Sequence, residues 1–128
     1  MAHSYIEYKD KNCRVHDLDL SMACFLIMKK ANGSGKFEKL FDEWMDSISF
    51  DGPGCVDLHL TDYLIDIEDV RDFQNLLGLA EQDLKTFSGL YPKSELGEYL
   101  GKAKINLVED YKAELIEEAL QRLRSIVD

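Results

Sequence analysis

Carboxylate side chains are the most concentrated chemical feature of this sequence. Residues 42–72 hold ten acids and one base, Arg71, for a net charge of −9. The rest of the chain holds fifteen acids and fourteen bases, so this stretch supplies nearly all of the total charge of −10. Concentrated negative charge repels nucleic acid and anionic lipid and attracts basic proteins. The acids are Asp42, Glu43, Asp46, Asp51, Asp57, Asp62, Asp66, Glu68, Asp69 and Asp72.

Part of this acidic stretch is predicted to form a binding face for a basic partner. Asp62, Asp66 and Asp69 follow one another at spacings of four and three, which places them on one side of a helix start. Tyr63 lies among them, and an exposed tyrosine rimmed by acids is typical of a protein-binding hot spot. The alternative is a solvated surface that keeps the protein soluble. The predicted partner-binding residues are Asp57, Asp62, Tyr63, Asp66, Asp69 and Asp72.

Two histidines carry the catalytic alternative. His16 precedes Asp17, and His59 follows Asp57 at a spacing of two, which on a strand directs both side chains to one face. With a third ligand such a pair could hold a transition metal, and a hydrolase would need His16 and His59 to converge. The sequence shows no calcium loop, phosphate-binding loop or nucleophile elbow. We therefore expect a protein that is not an enzyme and that binds neither a metal nor a cofactor.

Length and composition favour a single globular domain over residues 1–128, because 45% of the residues are hydrophobic and 10% aromatic. No apolar run approaches the roughly 20 residues that span a bilayer, and the N-terminus lacks the regions of a signal peptide. The cysteines Cys13, Cys24 and Cys55 form no pair with metal or redox spacing, which favours a reducing compartment. These features predict a cytoplasmic protein with no membrane or nucleic-acid partner.

Hydrophobic patterns predict a helix-rich α+β fold of four to five helices with a small antiparallel sheet. An N-terminal hairpin over residues 5–16, with its turn at 9–12, and one strand near 55–60 make the sheet. An apolar helix over residues 20–31 follows an Asp17 or Asp19 cap, and an amphipathic helix covers residues 37–48.

The second half of the chain is predicted to be mainly helical. One helix begins at Asp62 or Asp66 and continues through Leu79 or beyond, with an inward side made of Ile67, Val70, Phe73, Leu76 and Leu77. A short helix precedes Gly101. A long helix then covers about residues 105–127, with Val108 and Tyr111 in its apolar seam.

In size and charge the chain resembles bacterial immunity proteins, although no motif assigns it to one family of them. Such proteins are small, cytosolic and acidic, and they neutralise nuclease toxins by presenting carboxylates where the toxin expects phosphates. We therefore expect an acidic protein-binding module that occludes a basic, nuclease-type toxin through its central acidic face. The alternatives are a metal-dependent hydrolase using His16 and His59, and an oligomeric adaptor subunit that packs through its C-terminal helix.

Overall fold

Two antiparallel strands form the predicted N-terminal hairpin. A computed structural model describes the backbone of residues 3–31, 35–50 and 57–127, and the side chains of residues 5–31, 35–48 and 59–127. β1 (His3–Tyr8) pairs antiparallel with β2 (Lys11–His16). The turn is shorter than predicted because Lys11 already pairs with Tyr8, and Lys9 takes a left-handed conformation with φ 55°. Ile6, Tyr8 and Val15 are buried, so one face of the hairpin belongs to the core.

A third strand, β3 (Asp57–His59), joins β1 on the side away from β2. It runs parallel to β1, with Leu58 beside Ile6, where the sequence predicts antiparallel pairing. The chain returns to the same end of the sheet through two helices, and such a crossover is what parallel pairing requires. Residues 55 and 56 of the predicted strand lie outside the described residues.

Five α-helices lie within the described residues and confirm the predicted helix-rich α+β fold. The second begins at Glu38, after the Lys36–Phe37 turn, and the third continues past Leu79 and Gly78. No helix in this part of the chain has the length and apolarity needed to cross a bilayer. The helices are α1 (Asp17–Lys30), α2 (Glu38–Phe50), α3 (Ile67–Lys85), α4 (Gly97–Ala103) and α5 (Ala113–Val127).

The core is built around α1, in which every residue from 20 to 28 is buried. Its N-cap position is taken by His16 and not by the predicted Asp17 or Asp19, and the His16 side chain makes no cap hydrogen bond. Asp17 is the first helical residue and is only 9% exposed. A helix apolar on nearly all sides must be surrounded by other elements, and the sheet and the remaining helices provide that cover.

Aromatic side chains pack α2 against α3 and so position the acidic stretch. Trp44 is 1% exposed, and its ring centroid lies 5.2 Å from that of Phe41 and 6.2 Å from that of Phe73 in α3. Phe37 meets Phe73 edge to face, with centroids 5.9 Å apart. Burial of these rings holds the two helices together and leaves their acidic sides facing outward.

The last helix starts later than predicted. Tyr111 and Lys112 form β5 (Tyr111–Lys112), which pairs antiparallel with β4 (Leu90–Tyr91). The Tyr111 hydroxyl also donates to Asp19, so tertiary pairing overrides the helical pattern there. Val108, predicted to lie in the seam, is 86% exposed. The seam of α5 itself is buried in the chain's own core at Ile116, Leu120 and Leu123.

Candidate functional site

Two of the predicted binding carboxylates cap the start of α3. Asp66 occupies the predicted N-cap position, and its Oδ1 accepts a hydrogen bond from the Asp69 amide at 2.9 Å. In return, Asp69 Oδ2 accepts from the amides of Asp66 at 3.3 Å and Ile65 at 3.0 Å. This reciprocal cap fixes the backbone of residues 65–69, because it satisfies amides that have no partner inside the helix. Asp66 remains exposed in this role.

Lys36, immediately before α2, neutralises part of the acidic stretch. Its Nζ lies 3.1 Å from Asp69 Oδ1 and also contacts Asp72. The hydrogen bond that Lys36 donates to Asp72 raises the pKa of Lys36, and the hydrogen bond that Lys36 donates to Asp69 lowers the pKa of Asp69. Charge counting over residues 42–72 misses this base, because only the packing of α2 on α3 brings it to the acids.

Tyr63 is half-buried and is not the exposed aromatic anchor that the sequence suggested. Its ring packs against the core, and its hydroxyl donates to the carboxylate of Glu43 in α2. That hydrogen bond, together with burial and the nearby charge of Asp62, raises the pKa of Tyr63 to about 12. Tyr63 therefore joins α2 to the segment before α3, which also carries Asp62.

Five carboxylates among the described side chains of residues 42–72 are exposed. Asp66 serves as the helix cap, and we call the other four the acidic surface: Asp42, Asp46, Asp62 and Glu68. None of them takes part in an ion pair or hydrogen bond within the part of the chain that the structure describes. Asp42 and Asp46 are one turn apart on α2, beside the Glu43 that reaches Tyr63. Asp57, also predicted to bind, lies in β3, but its side chain is outside the described residues.

Two exposed isoleucines interrupt the acidic residues, and the sequence analysis did not predict the exposure of either. Ile65 is 72% exposed and Ile67 is 69% exposed, so the prediction that Ile67 faces inward was wrong. The buried side of α3 runs through Phe73, Leu77, Ala80 and Leu84. Extending that spacing backwards leads to Val70 and then to position 66, which leaves Ile67 outside the stripe. The phase of the apolar pattern in the sequence therefore indicates that Ile67 lies outside the buried side of α3.

These isoleucines border a cavity that we call the isoleucine groove. It has a volume of about 370 Å³ and lies between the hairpin turn, the start of α3 and the end of α5. Its lining includes Tyr8, Ile65, Ile67, Val70, Ile126 and Val127. A largely apolar cleft next to exposed carboxylates is a common form of protein-binding site.

The catalytic alternative loses its main requirement in this fold. The sheet register places His16 opposite His3, near the start of β1, and His59 beside Glu7, near its end. Those positions on β1 are about 13 Å apart, and β2 and β3 lie on opposite sides of it. Within the described residues, no three metal-ligating side chains cluster. Cys24 is fully buried, and burial raises the pKa of its thiol, which makes it a poor nucleophile.

A second polar cluster joins α1, α3 and β4. Lys29 Nζ lies 3.4 Å from Asp83 Oδ2, and it donates to the Tyr91 hydroxyl at 3.1 Å and to Glu95 at 2.9 Å. The Tyr91 hydroxyl donates to Asp83 at 2.6 Å, and burial and that bond raise the pKa of Tyr91 to about 12. Because these groups satisfy one another, we interpret the cluster as a structural connection between elements.

Comparisons with protein-family models, curated proteins and solved structures find no match to this chain.

Proposed function

We propose that this chain is an acidic binding protein of the immunity or inhibitor type, which occludes a basic, nuclease-type toxin domain in the bacterial cytoplasm. The observation that carries the proposal is the acidic surface. Its four exposed carboxylates have no partner in the described chain, and Asp42 and Asp46, one turn apart on α2, repel one another; a basic protein would neutralise this charge.

The proposed mechanism is electrostatic and steric occlusion. A nuclease binds phosphates with lysine and arginine, so a rigid array of carboxylates competes for the same groups. The long-range field accelerates the encounter, and contacts at short range confer specificity. Cys13 and Cys24 are free thiols, which is compatible with a reducing compartment.

The adaptor alternative is less well supported. It requires the apolar seam of α5 to face a second subunit, and that seam is buried against the chain's own core. The hydrolase alternative requires His16 and His59 to meet, and the sheet separates them. Binding through the acidic surface requires no change in this fold.

The test is affinity capture from the lysate of the source organism with a charge-reversed variant and a matched control. Asp42→Lys with Asp62→Lys alters the acidic surface and leaves the Asp66 cap intact. Glu109→Lys with Glu114→Lys makes the same charge change at two exposed positions elsewhere. We expect the wild type and the control to capture the same basic protein in a salt-sensitive manner, and the surface variant to lose it.

Inhibition must then follow from binding. The captured protein, once purified, should degrade nucleic acid, and one equivalent of the wild type should stop that activity. Equal capture by both double variants would show that the acidic surface is not the docking site. A captured protein whose activity is unaffected by saturating wild type would contradict the inhibitor function.

A further inference from the structure

The isoleucine groove leaves two large apolar side chains exposed to solvent. Ile65 and Ile67 are 72% and 69% exposed, whereas Tyr8, Ile126 and Val127 beneath them are 7%, 5% and 3% exposed. The groove therefore has a buried apolar floor and two isoleucines standing at its edge. Single exposed aliphatic residues are common, but a pair beside an open apolar cavity is typical of an interaction site.

The walls of the groove are held in place before any partner arrives. The reciprocal cap of Asp66 and Asp69 fixes the backbone that carries both isoleucines. On the other side, the Lys9 amide donates to Thr61 Oγ1 at 2.6 Å and ties the hairpin turn to the segment before α3. A preformed site spends little of its binding energy on ordering its own chain.

Charged side chains stand on both sides of the groove, and the bases lie on the hairpin side. Asp66 lines the α3 side, and Asp62 and Glu68 flank the two isoleucines in the chain; all three are exposed. Lys9, Asp10 and Lys11 line the hairpin side. A group that enters along α3 therefore meets carboxylates next to apolar surface, and complementarity favours an apolar side chain with a base beside it.

We propose that the isoleucine groove seats one large apolar side chain of the basic partner, with a neighbouring lysine or arginine paired to Asp62 or Glu68. This inference rests on the proposed function and adds the anchor that the acidic surface lacks. At about 370 Å³ the groove is at the small end of binding pockets, which suits one aromatic or branched side chain. Charges would direct the encounter, and the buried side chain would slow dissociation.

The first test uses defined peptides, so that it does not depend on the natural partner. The isotope-labelled full chain is titrated with Arg-Lys-Phe-Lys-Arg and with a matched peptide in which serine replaces phenylalanine, while amide shifts are followed. We expect the phenylalanine peptide to shift Ile65, Ile67 and Val127, and the serine peptide to bind at least about five-fold more weakly there. Equal shifts with both peptides, or silent groove amides, would overturn the proposal.

The second test uses the partner captured by the wild type. Ile65→Ser with Ile67→Ser should raise the dissociation constant at least about ten-fold, mostly through faster dissociation. Leu79→Ser with Val108→Ser, which removes two exposed aliphatic side chains elsewhere, should leave it unchanged. Unfolding curves of all variants check that each is folded.

The outcomes separate this inference from the proposed function. If the isoleucine variant binds like the wild type while Asp42→Lys with Asp62→Lys does not, the groove proposal fails and the acidic surface stands. If the captured protein binds both surface variants as tightly as the wild type, both proposals fail. A wild-type chain that dimerises through Ile65 and Ile67 without any partner would assign the groove to a second copy, and that result would also overturn the inference.

Discussion

Lys36 Nζ lies 3.1 Å from Asp69 Oδ1 and links the start of α2 to the first turn of α3. Asp69 at the same time accepts the Ile65 and Asp66 amides, so one carboxylate fixes both a helix start and a helix contact. The acids of this stretch therefore have two different roles. Asp69 and Asp72 pair with Lys36 and so stabilise the packing of α2 on α3. The four residues of the acidic surface make no such contact and can bind a partner.

Because of the Lys36 ion pair, the stability of the fold should depend on pH in the acidic range. The folded-state pKa of Asp69 is lowered, so its contribution is present above the ordinary value of 3.8 and is lost as pH falls below it. We expect Lys36→Gln to lower Tm at about pH 6 and to differ much less from the wild type at about pH 3. Lys39→Gln, at an exposed neighbouring position, is the control and should match the wild type at both values. A Lys36→Gln deficit of equal size at the two values would contradict the assignment.

Leu40 tests the amphipathic reading of α2. The side chain is 1% exposed, so Leu40→Ala removes packed methyl groups and leaves a cavity. We expect a loss of about 2–5 kcal/mol in the free energy of unfolding, measured with urea. Lys39→Ala on the exposed side of the same helix should change it by less than about 0.5 kcal/mol. Similar losses for the two variants would mean that the helix is rotated.

The phase of α3 can be tested at Ile67 and Leu77. Ile67 is 69% exposed and Leu77 is fully buried, although both are aliphatic residues of one helix. We expect Ile67→Ala to cost less than about 0.5 kcal/mol and Leu77→Ala about 2–5 kcal/mol in urea unfolding. A large loss at Ile67 would place that residue in the core and remove one wall of the isoleucine groove.

Tyr63 should ionise late in an alkaline titration. The hydrogen bond to Glu43 raises its pKa to about 12, so the stabilisation is complete below the ordinary value of 10.0 and is lost as pH rises toward 12. We expect Tyr63→Phe to remove one late phenolate from the ultraviolet titration curve. Glu43→Gln removes the negative charge of the acceptor and should move that step back toward 10.0. If the phenolate lost in Tyr63→Phe is one that titrates near 10.0, and Glu43→Gln leaves the curve unchanged, the contact is absent in solution.

The acidic surface should govern association more than dissociation. Once a partner is identified, Asp42→Lys with Asp62→Lys should slow association by about ten-fold or more at low ionic strength. The difference from the wild type should shrink as salt is added, since exposed charges are screened over roughly 10 Å at 0.1 M. A variant whose association rate is normal, but whose complex dissociates quickly, would indicate a short-range role for these residues.

Local patterns predicted most of the helices because their information is contained in neighbouring residues. Phe37, Leu40, Trp44 and Ile48 recur at spacings of three and four and are all buried in or beside α2. Tyr111 shows where such patterns fail. Its strand pairing with Tyr91 and its hydrogen bond to Asp19 link positions far apart in the chain, and no local spacing reports them.

The site was predicted in outline but not in its division of roles. Charge counting found the acids around Asp62, and helix-start signals offered Asp62 or Asp66 as the cap, of which the structure uses Asp66. The neutralising Lys36 comes from another element, and the bond between Tyr63 and Glu43 depends on how α2 and the segment before α3 meet. Such pairings are set by packing, which is why Tyr63 was expected to be exposed. The error at Ile67 has another cause, the phase of the apolar pattern along α3.

The central position of β1 has a consequence for how the chain folds. Its contacts with β2 close across a two-residue turn, but its contacts with β3, like that of Lys9 with Thr61, join positions 52 residues apart. Closing that long segment costs far more entropy than closing the hairpin. We therefore expect the hairpin to form early and β3 to join it after α1 and α2 have formed. Amides of β3 should consequently gain protection from hydrogen exchange last, and the segment that carries Asp62 and Ile65 becomes ordered in the same late step.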